Sequence, residues 1–196
     1  MACSRQLRNM RTGFCYDSGL RSALINDMKR LFMMCGIAFS GKTTVAEQLV
    51  RALGCAYVSL DDINAERGLH GGDGIAVEEW ERTHGVAIER MKHLMARGEY
   101  IVLDDTNCFR WLRDKYSEFA SENGYVAELV YLAVSLEEVQ ERIVRNTITT
   151  ARHSIESNVF GAHVQEFEPP QADEVTTVLR NAEDVSRWIE TTRRQS

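Results

Sequence analysis

From residue 31 onward, short apolar runs alternate with longer segments whose apolar residues recur at helical spacing. Residues 31–37 form a continuous apolar run, which is typical of a parallel strand buried on both faces. Residues 43–53 carry apolar side chains four positions apart, which predicts an amphipathic helix that ends at Gly54. The same patterns predict further strands at residues 55–60, 100–103, 125–133 and 175–179, and further helices at residues 77–97, 110–123, 135–146 and 182–193.

This order of elements favours an α/β fold with three layers, in which helices cover both faces of a parallel sheet. Right-handed crossovers bring the carboxyl ends of all strands to one edge of such a sheet, and ligands are expected at that edge. We assign residues 31–196 to one domain. Residues 1–30 are rich in Arg, Ser and Asn, and we interpret them as an N-terminal extension that is partly disordered or helical.

Composition and charge exclude several classes of function. The formal net charge is −6 at pH 7, whereas proteins that bind nucleic acid non-specifically normally present a basic surface. The longest apolar run is too short to cross a membrane. The five cysteines include no Cys-x-x-Cys pair, so a disulfide framework or a zinc site is not expected, and a reducing cytoplasm is the natural compartment.

Residues 36–43 read GIAFSGKT, a match to the phosphate-binding pattern GxxxxGK[ST] between a predicted strand and a predicted helix. Glycines allow the backbone amides of such a loop to face phosphate groups, and the N-terminus of the next helix adds positive potential. Lys42 is expected to reach the β- and γ-phosphates, and Thr43 to place its hydroxyl on Mg²⁺. The predicted nucleotide contacts are Gly36, Ala38, Phe39, Ser40, Gly41, Lys42, Thr43 and Thr44.

Carboxylates follow two of the predicted strands and should therefore lie at the same edge of the sheet. Asp61 and Asp62 follow the second strand, where a carboxylate can take the proton of an attacking hydroxyl. We expect Asp61 to be this general base, with a helix cap as the alternative. Asp104 and Asp105 end the third strand, where a carboxylate can hold Mg²⁺. Adjacent strand residues point in opposite directions, and Asp104 is the preferred metal ligand.

Basic residues after the fourth strand are candidates for a lid over the phosphates. Arg142 and Arg145 are three positions apart and so lie on one face of a helix, and Arg152 follows them. Arginines there could neutralise a phosphoryl group during its transfer. The alternative is a solvated helix face on which nearby glutamates pair with them.

These segments together resemble a known group of proteins. The segments CGIAFSGKTT, VSLDD, IVLDDTN, ERIVRN and FEPPQADE resemble small P-loop kinases related to bacteriophage polynucleotide kinase, a group that includes zeta toxins and chloramphenicol phosphotransferase. The resemblance implies a P-loop NTPase fold with a five-stranded parallel sheet in the order 2-3-1-4-5 and a helical lid. It also implies ATP and Mg²⁺ as cofactors and a role for Asn107 at the substrate side.

One departure from this group concerns the substrate. Polynucleotide kinases of the phage type have an arginine three residues after the base, where this chain has Asn64. Arg67 is a possible substitute, and Asp62 is a further candidate substrate contact. We therefore expect a kinase that transfers the γ-phosphate of ATP to a hydroxyl of a small molecule, nucleoside or nucleic-acid end. The alternatives are a nucleotide-dependent regulatory ATPase acting on a protein partner, and a toxin or antibiotic-modifying phosphotransferase.

Overall fold

The computed structural model describes residues 29–69, 74–149 and 157–195, and it confirms the predicted three-layer α/β/α architecture. The strands are β1 (Arg30–Cys35), β2 (Ala56–Ser59), β3 (Ile101–Asp104), β4 (Val126–Leu132) and β5 (Thr176–Leu179). The helices are α1 (Lys42–Leu53), α2 (Leu60–Glu66), α3 (Val77–Ala96), α4 (Arg110–Glu122), α5 (Leu136–Thr149), α6 (Ser157–Glu166) and α7 (Ala182–Gln195).

The five strands form one parallel sheet in the order β2-β3-β1-β4-β5, as the resemblance implied. The central strand β1 pairs with β3 on one side and with β4 on the other. Because all strands run in the same direction, the segments that follow β1, β2 and β3 leave the sheet at one edge. The predicted phosphate loop follows β1, Asp61 and Asp62 lie in the first turn of α2, and Asp104 ends β3 and is followed by Asp105.

Side chains of β1 alternate between two hydrophobic cores, one on each face of the sheet. On the first face, Leu31 and Met33 pack in the core that contains residues of α3 and α4. On the second face, Phe32 and Met34 pack with residues of α1 and α7. These four β1 side chains are at most 2% exposed, which explains why the sequence of this strand is a continuous apolar run.

Local sequence explains where several helices begin and end. Gly54 ends α1 in the left-handed conformation (φ 67°), and its amide donates to Val50 O. Ser135 Oγ accepts a hydrogen bond from the amide of Glu138 at 3.2 Å, as expected of an N-cap before α5.

Two differences separate the predicted pattern from the structure. Helix α2 begins at Leu60, because Ser59 is its N-cap and accepts from the amide of Asp62 at 3.1 Å. The side chain of Asp61 is therefore not needed as the cap. Helix α6 was not predicted. Two predictions concern residues that the structure does not describe. They are the N-terminal extension, of which residues 1–28 lie outside the described ranges, and Arg152.

Candidate active site

The loop between β1 and α1 has the backbone conformation expected of a phosphate loop. Gly36 and Gly41 have φ angles of 145° and 102°, and Phe39 is also left-handed at 62°. A Cβ atom at Gly36 would lie 2.9 Å from Ser40 Oγ and 3.2 Å from Leu132 O, so this position has no room for a side chain. Both the conformation and the lack of space at Gly36 explain the need for glycine there.

Lys42 lies at the centre of this loop and is only 9% exposed. Its Nζ atom donates to the carbonyl oxygens of Gly36 and Ile37, each at 3.0 Å. Burial lowers the pKa of Lys42, while the negative charges of Asp104 and Asp105 act in the opposite direction. The ammonium group is therefore held by the loop and lies in the field of both carboxylates.

Asp104 ends β3 and is 7% exposed. The hydroxyl of Tyr57 on β2 donates to Asp104 Oδ2 at 2.7 Å, and the carboxylate is also hydrogen-bonded to the side chain of Thr43. Burial raises the pKa of Asp104, and these two hydrogen bonds and Lys42 oppose the increase. The two predicted metal-binding residues, Thr43 and Asp104, thus lie in contact.

Asp61 and Asp105 belong to the same group of charges. The pKa of Asp61 is raised, first because the surrounding protein displaces water from its carboxyl group, and second by the charges of Asp105 and Asp104. Lys42 lowers it. Asp61 is nevertheless exposed to solvent. A carboxylate with a raised pKa that a substrate can reach is suited to general base catalysis.

Arg142 reaches from α5 to the phosphate loop. Its Nη1 atom donates to Phe39 O at 3.1 Å and to Ser40 O at 2.6 Å, and its Nη2 atom pairs with Glu138 at 2.6 Å. The alternative of a pair with a nearby glutamate is therefore present, and the same guanidinium group also binds carbonyl oxygens of the phosphate loop. The predicted contact of Arg142 with a phosphoryl group stays a prediction. Arg145 lies one turn further along α5 and lines the adjacent cavity.

That adjacent cavity has a volume of about 610 Å³. It extends from the phosphate loop across the start of α1 to α5 and to the loop between β5 and α7. Its walls combine apolar residues such as Val45 and Val185 with polar residues such as Gln48, Asn146 and Asn181. A cavity of this size and mixed lining, opening beside the phosphate loop, suits the base and ribose of a nucleotide.

The three candidate substrate contacts have different positions. Asp62 is exposed next to Asp61. Arg67 pairs with the carboxylate of Glu79 and donates to its carbonyl oxygen at 2.7 Å, so α3 already neutralises its charge. Asn107 is fully buried, and its Nδ2 atom donates to Met34 O at 2.7 Å. Asn107 thus connects the loop after β3 to β1 and does not face the cleft.

Sequence patterns did not identify several polar residues near the site. Besides Tyr57, His84 on α3 and Tyr116 on α4 are hydrogen-bonded, with 2.6 Å between His84 Nδ1 and the Tyr116 hydroxyl. Burial lowers the pKa of His84 and raises that of Tyr116, and the charge of Asp105 raises both. Both residues lie at positions of amphipathic helices that usually contribute apolar side chains to the core. The pattern therefore gave no indication of a polar pair.

The donor set fits Mg²⁺ and a nucleoside triphosphate. Mg²⁺ in such sites keeps few protein ligands and completes its shell with water and phosphate oxygens. One hydroxyl and one carboxylate, from Thr43 and Asp104, match that requirement. Within the described ranges, no group of three or more His, Cys, Asp or Glu side chains could hold a metal alone. Lys42 and the helix N-terminus supply the positive charge that phosphates need.

Comparison with known proteins agrees with this geometry. A family profile described as an AAA domain matches residues 31–170, which is most of the chain. The chain belongs to this AAA domain family. The match includes the phosphate loop, both pairs of aspartates and the arginines of α5.

Individual relatives of this AAA domain protein include kinases. It is 24% identical over 163 residues to a probable gluconokinase of Schizosaccharomyces pombe, covering 80% of this chain and 81% of the relative. The structure of Chaetomium thermophilum Kti12 in complex with ADP-AlF3 superposes with a TM-score of 0.65 at 18% identity, covering 82% of this chain and 96% of Kti12. The APS kinase CysC of Mycobacterium tuberculosis, in complex with AMPPNP and APS, gives a TM-score of 0.57 at 14% identity, with coverages of 86% and 97%.

The family match and the shared fold confirm the prediction of a P-loop kinase-type fold, and the probable gluconokinase relative agrees with the prediction of an ATP-dependent phosphotransferase. In the part of the chain that the structure describes, no helix is long and apolar enough to span a membrane.

Proposed function

We propose that this protein is an ATP- and Mg²⁺-dependent kinase that transfers the γ-phosphate of ATP to a hydroxyl group of a small molecule. The observation that carries the proposal is the group formed by Lys42, Asp104 and Asp61. Their charges act on one another at the edge of the sheet where the phosphate loop begins. A lysine for the phosphates and an accessible carboxylate of raised pKa are the two groups that this transfer requires.

Each residue of the group has a separate role in the proposed reaction. The amides of the phosphate loop bind the triphosphate, and Lys42 neutralises charge on the β- and γ-phosphates. Thr43 and Asp104 would hold Mg²⁺, which screens the negative charge of the phosphates. Asp61 accepts the proton of the acceptor hydroxyl while its oxygen attacks the γ-phosphorus and ADP leaves. Arg142 and Arg145 lie on the nucleotide side of the loop.

The charges on the acceptor side favour an acceptor that is uncharged close to the reacting hydroxyl. Asp61, Asp62 and Asp105 concentrate negative charge there, and Arg67 is already paired with Glu79. A phosphate or carboxylate beside the attacking oxygen would be repelled. The probable gluconokinase relative supports a polyhydroxyl acceptor, and the carboxylates of this site favour the neutral members of that class.

The test is transfer of a labelled γ-phosphate from ATP to a panel of neutral sugars and polyols, gluconate, nucleosides and a nucleic-acid end. We expect Asp61→Asn to reduce kcat for the preferred acceptor by about 10²–10⁴-fold, which is the usual contribution of a positioned base. ATP binding should be unchanged. Glu66→Gln is the matched control, because it removes an exposed carboxylate at the other end of the same helix, α2, and should retain most activity.

Full activity of Asp61→Asn would eliminate Asp61 as the base. ATP hydrolysis that no acceptor stimulates, together with a stable protein partner, would instead favour the regulatory ATPase. Growth inhibition on expression, or resistance to an antibiotic, would point to a toxin or an antibiotic-modifying phosphotransferase.

A further inference from the structure

A buried ion pair connects Arg113 on α4 with Glu174, just before β5. Their side chains are 1% and 9% exposed. Arg113 Nε and Nη2 donate to the two carboxylate oxygens of Glu174 at 2.6 and 3.1 Å, which is a bidentate arrangement. Buried pairs of this kind often stabilise a fold no better than apolar side chains of the same volume. Stability alone is therefore a weak explanation for this pair.

The remaining nitrogen of Arg113 binds the backbone of two separate segments. Nη1 donates to Asn107 O at 3.1 Å and Cys108 O at 3.3 Å, in the loop between β3 and α4. It also donates to Glu168 O at 2.9 Å, in the segment that precedes β5. One guanidinium group thus joins the loop after β3 to residues 168–174, which contain the Pro-Pro sequence.

The same loop is bonded to the start of the phosphate loop. The amide of Gly36 donates to Thr106 O at 3.1 Å, and Asn107 Nδ2 donates to Met34 O at 2.7 Å. Asn107 is held in the left-handed region at φ 43°, which is unusual for a residue other than glycine. The loop begins directly after Asp104. A displacement of this loop would therefore move both the Mg²⁺-binding carboxylate and the phosphate loop.

We propose that Arg113 and Glu174 are positioning residues for phosphoryl transfer. The pair fixes the loop of residues 105–109, and through that loop it fixes Asp104 and Gly36 relative to each other. The inference rests on the proposed function, because its consequence is a loss of turnover. Both residues lie outside the group formed by Lys42, Asp61 and Asp104.

A neighbouring ion pair provides a matched control. Arg110, three residues before Arg113 on α4, donates to Asp173 through two bonds of 3.0 and 2.9 Å. This pair joins the same helix to the same segment. It differs from the first pair because Asp173 is exposed. Among the described residues, the side chain of Arg110 donates only to carboxylates. Asp173→Asn removes an exposed pair without affecting the carbonyls of the loop.

The experiment compares Arg113→Lys, the double variant Arg113→Met/Glu174→Met and Asp173→Asn. Each is characterised by its thermal midpoint and by kcat and KM for Mg·ATP, measured as ADP release. The methionine pair removes both buried charges while it nearly keeps the volume, so we expect this variant to fold. Its midpoint should fall modestly, because the backbone carbonyls bound by Arg113 lose their donor. We expect kcat to fall by about tenfold or more, since angstrom-scale misplacement of reacting groups has effects of this size. KM should change much less.

Arg113→Lys retains the charge but cannot donate to Glu174 and the loop carbonyls together, so its kcat should also fall. Asp173→Asn should match the unmodified protein. A folded double variant with unchanged kcat would show that the pair only stabilises the fold and would overturn the proposal. If the double variant does not fold, unchanged kcat in Arg113→Lys overturns it. An unmodified protein that binds no Mg·ATP would refute the proposed function, and the positioning role with it.

Discussion

Asp104 and Asp105 are neighbours in the sequence, and their charges act on overlapping sets of residues in the site. Asp104 accepts from Tyr57 and lies against Thr43, on the side of the phosphate loop. The charge of Asp105 acts on Lys42 and Asp104 as well, and in addition on Asp61, His84 and Tyr116. Alternation of side chains along a strand predicted that the two carboxylates point in different directions; this stays a prediction, because Asp105 lies just beyond the end of β3. Only the structure identifies which aspartate has which neighbours, because those neighbours come from distant segments.

Asp105 is predicted to control the pH dependence of the reaction through Asp61. Asp61 must be ionised to act as a base, and Asp105 raises its pKa by repulsion. The rate should therefore fall as the pH decreases through the raised pKa of Asp61. Asp105→Asn removes the repulsion and lowers that pKa, so the acidic limb of the kcat profile should move to lower pH. An acidic limb that stays in place or moves to higher pH would contradict this arrangement.

At the scale of elements, the phosphate loop depends on a backbone conformation at Gly36 that residues with a Cβ atom rarely adopt. Gly36→Ala would force a Cβ to within 2.9 Å of Ser40 Oγ, at a φ of 145°. We expect this variant to lose ATP affinity by at least about tenfold, because the amides of the loop would be displaced. Isothermal titration with Mg·ATP measures the effect.

Gly54→Ala is the control for this variant, because Gly54 also has a positive φ, but a Cβ added there would meet no atom within 4 Å. It should reduce stability by roughly 1 kcal/mol and leave ATP affinity unchanged. Equal ATP affinity in Gly36→Ala and the unmodified protein would refute the assignment of this loop.

Periodicity in the sequence was sufficient for most of the sheet and the long helices, since buried strands and amphipathic helices leave regular apolar patterns. Periodicity did not predict helix α6 (Ser157–Glu166), because its sequence lacks a clear apolar face. The predicted second strand extended to residue 60, whereas Leu60 already belongs to α2, because Ser59 is the N-cap of this helix.

At the scale of the whole molecule, contacts between distant segments assemble the site, and sequence alone could not predict them. Arg142 is 103 residues from Phe39, and Arg113 is 61 residues from Glu174. An arginine can form such hydrogen bonds with many partners. The partners of Arg142 and Arg113 are determined by the way α5 and α4 pack against the sheet. The candidate catalytic residues were easier to predict because the parallel sheet brings the ends of its strands to one edge.

Binding of Mg·ATP is predicted to stabilise the whole domain. At a ligand concentration of about 100 times Kd, linkage gives roughly 2.7 kcal/mol, or an increase of about 5–10 °C in the thermal midpoint for a domain of this size. Lys42→Met should abolish most of this increase. The unliganded midpoint should not fall, because burial already disfavours the charge of Lys42. A full ligand-induced increase in this variant would contradict the role of Lys42.

The central claim is that the γ-phosphate passes to an acceptor and not to water. It can be tested before the acceptor is known, by measuring ADP and inorganic phosphate together in the presence of ATP, Mg²⁺ and a protein-free extract of cellular small molecules. We predict that ADP forms in clear excess over phosphate, and that Asp61→Asn removes this excess. Equal amounts of ADP and phosphate from the unmodified protein, with and without the extract, would contradict the assignment as a kinase.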